Sequence, residues 1–193
     1  MGEVLVLRHG QTEWSRSGQH TSVTDLPLLS EGEQQARAVG TALAGRRIAE
    51  VWVSPRQRAR RTAELAGLRP TAVDEDLVEV DYGGYEGRTT AEISAELGRE
   101  WSVWTDGTVP GDTPGETLVA VGERVDRVLA RARKRLDDGD VALVAHGHVL
   151  RVLTARWLGL KPQAGALFAL PAGSYGILGS EHARPALSGW GLH

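Results

Sequence analysis

The 193-residue chain contains no cysteine. Disulfide bridges and thiolate metal centres are therefore excluded. A positive excess is missing as well: 22 Lys and Arg against 25 Asp and Glu give a formal net charge of -3. Nucleic-acid-binding domains usually show the opposite imbalance, because neutralising phosphates drives their affinity. No apolar run approaches the length of a membrane span. The opening MGEVLVLRHG has neither a basic leader nor a signal-peptide core. Solenoid-length repeats and low-complexity linkers are also absent. The expectation is a soluble, cytoplasmic protein that engages neither nucleic acid nor membrane. With 41% hydrophobic residues it can bury a substantial core as one domain over residues 1–193. The sequence does not set the oligomeric state; a homodimer is compatible with it.

What is present begins with short, nearly continuous apolar runs. Glu3–Leu7, ending at Arg8, and Val141–Ala145 read as strands buried on both faces, and Val51–Val53 as a third. Between them lie helical patterns. Ser30 and Glu33 have the form of a capping box, followed by Ala36, Val39, Gly40 and Leu43 on one face. A second helix is expected over Gln57–Ala66. The longest is expected over Glu116–Leu136, with Leu118, Val121, Val125, Leu129, Ala132 and Leu136 at helical spacing. Its arginines, including Arg124, Arg127 and Arg131, read as a solvated face. The alternation predicts an α/β fold: a three-layer sandwich with helices on both faces of a mainly parallel sheet. Leu77–Pro114, rich in Gly, Thr, Asp and Trp, breaks the rhythm and reads as an insertion over one sheet edge. Leu167–Leu178 reads as two further strands around Pro171–Gly173.

Two of the strands end in the same dipeptide, His9-Gly10 and His146-Gly147. Ligands of parallel sheets bind beyond the carboxyl ends of the strands, so neighbouring strands would bring both imidazoles to one crevice. Glycine after each histidine would let the backbone approach a ligand. Arg8, beside His9, offers a fork of donors suited to phosphate oxygens. After Val51–Val53 comes SPRQRARRTAE, which sets Arg56, Arg58, Arg60 and Arg61 at a helix start, where the macrodipole disfavours cations. An anion partner would account for that placement; Arg60 and Arg61 read as solvated.

RHGQTEW, SPRQRARRTAE, VEVDYGGYEG and VAHGHVLR, spread in order over residues 4–151, resemble the signatures of the histidine phosphatase superfamily, which includes cofactor-dependent phosphoglycerate mutases. The resemblance implies a phosphoglycerate mutase-like fold. It makes His9 the phosphoryl acceptor, places Arg8, Arg58 and His146 around the transferred phosphate, and makes Glu79 the proton donor. No cofactor and no metal is implied. Arginine charge should keep His9 unprotonated and take the place of metal ions on the equatorial oxygens. Glu79, protonated while a phosphate dianion lies beside it, would supply a proton to the leaving oxygen and later activate water. Activity favouring mildly acidic pH is the expected consequence.

GQTEWSRSGQHTSVTDLPL, the pair Trp101 and Trp104, and AHGHVLR resemble a branch holding actinobacterial acid phosphatases and fungal sedoheptulose-bisphosphatase. Ser15 replaces the asparagine common elsewhere, and its hydroxyl could still donate to phosphate. Thr21 and Ser22 stand where mutases carry Thr-Gly and many phosphatases Gln-Gly. With Gly147 they complete the expected substrate contacts. His20, Arg151 and His182 are candidates for a distal phosphate, and Trp101 and Trp104 for a pocket wall. The expected function is hydrolysis of small phosphorylated metabolites through a phosphohistidine. A mutase, a silent phospho-ligand sensor and a metal hydrolase built on His146 and His148 are the rivals.

Overall fold

A computed structural model describes residues 2–193. The apolar runs form β1 (Val4–Arg8), β2 (Ile48–Val53) and β4 (Asp140–Ala145), joined by the two-residue β3 (Ala72–Val73). These four strands are parallel. The antiparallel β5 (Tyr175–Glu181) and β6 (Arg184–Leu192) complete a six-stranded sheet of order β3-β2-β4-β1-β5-β6. β1 and β4 are neighbours with Arg8 opposite Ala145, so His9 and His146 leave the same sheet edge side by side.

Unbroken apolar runs are needed because both faces are covered. Val4, Val6, Val141 and Leu143 join one core, while Leu5, Leu7, Ala142 and Val144 join the other. On the first face lie α5 (Leu118–Arg133) and α6 (Gly147–Trp157), through Val121, Val125, Leu150 and Leu153. On the second lie α2 (Ser30–Ala42) and α3 (Gln57–Leu65), through Val39, Ala59 and Ala63. The three-layer α/β sandwich is as the alternation predicts. A short α1 (Glu13–Ser17) follows β1, and α4 (Thr90–Leu97) belongs to the stretch read as an insertion. Tyr82, Tyr85, Trp101 and Val103 of that stretch pack into the α5–α6 core.

Three local expectations fail. Ser30 is the first residue of α2 and not its cap; Leu29 holds the cap position with no side-chain bond. Glu33, the other half of the expected box, is drawn to Arg61 and Arg37 instead. The second failure is Arg124, which is 7% exposed. Its guanidinium turns inward to Glu116 and to two backbone carbonyls, whereas Arg127 and Arg131 do stay at the surface in ion pairs with Asp76 and Asp74. Third, Leu167–Leu178 is not a strand pair. A 3-10 turn (Pro162–Leu167) and an irregular stretch precede the single strand β5, and its hairpin partner is the later β6. RPALSGWGL carries a proline and two glycines, which weaken the strand signal and suit an edge position.

Candidate active site

At the carboxyl edge of β1 and β4 is a cavity of about 140 Å³ whose walls include Arg8, His9, Glu79, Gly147, His148 and Arg151. A larger open groove of about 610 Å³ lies apart from it, lined by Asp25, Glu33, Arg60, Arg61 and Glu64, and carries no imidazole. The chemistry is in the smaller space. The rings of His9 and His146 stand 5.1 Å apart, edge to face. His9 Nδ1 lies 2.8 Å from the Gly10 carbonyl and donates to it, which leaves the lone pair on Nε2. Burial first, then the charges of Arg58 and Arg8, hold the His9 pKa well below the usual 6.5. A neutral, oriented imidazole results.

Arg8 reaches the Leu170 carbonyl through Nη1 at 2.6 Å, while its Nε is buried without a partner. Its guanidinium lies against Gly147, where a Cβ would stand 3.1 Å from Cζ. The glycines after the two histidines therefore make room for protein as well as ligand. At Gly10 a Cβ would meet the Gly32 carbonyl oxygen at 2.1 Å.

Arg58 and His146 are fully buried and stand outside the cavity lining. Arg58 Nε donates to His146 Nδ1 at 3.1 Å, and its Nη atoms reach the carbonyls of Thr21, Ser22 and Thr24. His146 Nδ1 is thus an acceptor, and Nε2 carries the proton, 2.7 Å from Ser54 Oγ. Both nitrogens of His146 are engaged, so the His146-x-His148 pair does not present a bidentate metal ligand. Burial, Arg58 and His9 depress the His146 pKa well below its ordinary value.

Glu79 sits on irregular chain just after a 3-10 turn (Glu75–Leu77). Its carboxylate caps the start of α6: Oε1 accepts from the backbone N–H of Val149 at 2.8 Å and of Val80 at 3.0 Å, and Oε2 from that of His148 at 3.0 Å. An anion at a helix N-terminus is well placed electrostatically. The Tyr82 hydroxyl and His148 Nδ1 share a hydrogen bond at 2.6 Å. Burial, with the Glu79 charge next, pushes the Tyr82 hydroxyl well above 10; burial and Arg151 push His148 well below 6.5. That hydrogen bond joins two neutral groups. Tyr82, His148 and Ser54 all lie inside the quoted signatures, but none was assigned a part in phosphoryl transfer; His148 was weighed only as a metal ligand.

The outer wall holds His20, Thr21, Ser15 and Arg151. Burial lowers His20 to about 4, and its ring packs 4.6 Å from Tyr82 and 5.3 Å from Trp101. Arg151 stacks on Trp104 with Cζ 4.5 Å from the ring and donates to the Gly165 and Ala166 carbonyls. Ser15 spends its hydroxyl on Thr12, as donor to the carbonyl and acceptor from the N–H, in a box that caps α1. Ser22 is turned away from the cavity: its N–H is taken by Glu86, and its hydroxyl faces the Glu79 carbonyl at 3.4 Å. His182, expected near a distal phosphate, is not at the site. It lies with Ala183 in the β5–β6 hairpin turn at φ 47 and 62. Because β5 runs antiparallel to β1, that turn is at the opposite end of the sheet from His9.

Residues 4–193 match the histidine phosphatase superfamily (branch 1). The chain belongs to the histidine phosphatase superfamily. It is 40% identical to an acid phosphatase of Mycobacterium tuberculosis, over 98% of this chain and 92% of that one. It is 39% identical to sedoheptulose 1,7-bisphosphatase of Saccharomyces cerevisiae, over 82% of this chain and 68% of that one. A solved structure of an open-reading-frame product of Mycobacterium tuberculosis superposes with a TM-score of 0.92 at 39% identity, covering 99% of this chain and 97% of that one. This member of the superfamily is a phosphatase, a hydrolase of phosphoric monoesters. Among the described residues no helix is long and apolar enough to cross a membrane.

Proposed function

We propose that this phosphatase transfers the phosphoryl group of a small phosphorylated metabolite to Nε2 of His9 and then to water. One observation carries the reading: a buried imidazole, its tautomer fixed by Gly10 and its proton kept off by burial and two arginines, opens onto a cavity shared with Arg8 and Glu79. The Nε2 lone pair attacks phosphorus as the bond to the ester oxygen breaks. Glu79, protonated once the substrate's phosphate dianion lies beside it, gives that oxygen a proton. Glu79 then takes a proton from water, whose oxygen attacks phosphorus, and the P–N electron pair returns to His9. Arg8 neutralises the equatorial oxygens, and a phosphate oxygen would satisfy its unpartnered Nε. Arg58 acts mainly through its field on His9, since its N–H groups serve His146 and the carbonyls of residues 21–24.

A cavity of 140 Å³ is well below the roughly 300–1,000 Å³ of sites for drug-sized ligands, which favours short substrates. Arg151 at the outer wall offers a second cation, so substrates with a second anionic group fit best, a sugar bisphosphate among them. His20 and Thr21 flank that end. The test is phosphate release from a panel of phosphomonoesters. His9→Ala should lose at least about a hundredfold in kcat/KM, and the parent enzyme should yield an acid-labile phosphohistidine on rapid quenching at high pH. Retention of a tenth of the activity by His9→Ala would overturn the covalent route. Isomerised product in place of free phosphate would mark a mutase.

A further inference from the structure

Glu79 lies outside every regular element, and only its carboxylate is tied to one, at the start of α6. Residues 78–82 are neither helix nor strand, yet an acid that serves one oxygen must be fixed to a fraction of an ångström. The backbone there is gripped from α5. Arg124 Nη1 donates to the carbonyls of Asp76 and Val78, both at 2.7 Å, and Val78 immediately precedes Glu79. The other edge of the same guanidinium is bidentate to Glu116, Nε to Oε1 at 2.8 Å and Nη2 to Oε2 at 2.9 Å. Glu116 holds the far side: its N–H donates to the Asp81 carbonyl at 2.9 Å, and its Oε2 accepts from the Asp81 N–H at 3.4 Å. The two side chains bracket residues 78–81.

We infer that Arg124 and Glu116 are positioning residues for Glu79 and set the aim of its carboxyl group at the leaving oxygen. The inference rests on the proton-donor reading of Glu79. Burying a guanidinium is costly unless it is fully paired, and here Nε, Nη1 and Nη2 all donate. The pair of exposed Arg127 with Asp76 on the same helix adds little by comparison. A lysine at position 124 would keep the charge but lose the flat fork that spans Glu116 and two carbonyls.

A merely structural role and a positioning role separate by leaving group. An aryl ester such as p-nitrophenyl phosphate departs without a proton, whereas an alkyl ester such as glycerol phosphate needs one. kcat/KM reports the steps through formation of the phosphohistidine, so it is the quantity to compare. Arg124→Lys should lower kcat/KM for glycerol phosphate at least about tenfold more than for p-nitrophenyl phosphate. Glu116→Gln should show the same bias more weakly, and stands in if Arg124→Lys does not fold. Glu79→Gln, assayed in parallel, should show the bias most strongly. Equal losses on both esters from Arg124→Lys and Glu116→Gln, with Glu79→Gln still selective, would overturn the positioning role alone. Absence of selectivity in Glu79→Gln would remove the proton-donor reading and the inference with it.

Discussion

Position 147 shows how a missing side chain can place a charge. The Arg8 guanidinium lies flat over Gly147, close enough that a Cβ would sit 3.1 Å from Cζ and 3.2 Å from Nε. Gly147→Ala should push the fork aside by a few tenths of an ångström and lower kcat/KM about tenfold. Alanine is the better helix former, so the unfolding midpoint should move by less than about 3 °C. Kinetics and a thermal melt on the same preparation check both; unchanged kcat/KM would mean that the Arg8 fork tolerates displacement. At this scale the sequence revealed types better than roles. His9, Arg8 and Glu79 face the cavity as their motifs suggested, but Arg58 and His146 face each other behind it. Ser54 opens one of the quoted signatures, but a serine after a strand is common and only the fold brings it to His146.

Elements meet at the site through backbone contacts that tolerate no atom more. The turn after β1 touches the start of α2 so closely that a Gly10 Cβ would lie 2.1 Å from the Gly32 carbonyl oxygen. No rotamer change relieves a clash between two backbones. Gly10→Ala should therefore destabilise by about 3 kcal/mol, the upper end of ordinary overpacking, and denaturant unfolding should show it as a lower midpoint. A loss under about 1 kcal/mol would mean that α2 slides freely on the turn. Strands and helices of this kind were legible because period and burial agree: β1 and β4 are apolar throughout, and each is covered on both sides. The tail was misread, since an edge strand with one wet side needs no apolar run. Arg124 was misread because a helical arginine looks the same in sequence whether it meets water or a buried carboxylate.

Across the whole molecule, four imidazoles are kept from protonation. Burial depresses His9, His146 and His148 well below 6.5 and His20 to about 4. In the unfolded chain each would titrate near 6.5. The unfolded state therefore binds more protons as pH falls, and the stability present above pH 6.5 is lost progressively below it. The unfolding midpoint should fall steadily between pH 7 and 5, and His20→Gln should make the decline shallower near its lower end. A flat profile would show that these rings accept protons in the folded state. Any acid optimum of the enzyme is thus bounded from below by its own histidines. By itself the sequence determined the layers, the parallel pairing and the residue types of the site, because periodicity, strand-end dipeptides and ordered signatures are local in the chain. Tertiary structure alone decided which nitrogen of His9 is free, which arginines meet the cavity, why His182 is remote, and how Arg124 reaches Val78. Those depend on hydrogen-bond partners separated by tens of residues, and no local pattern encodes such partners.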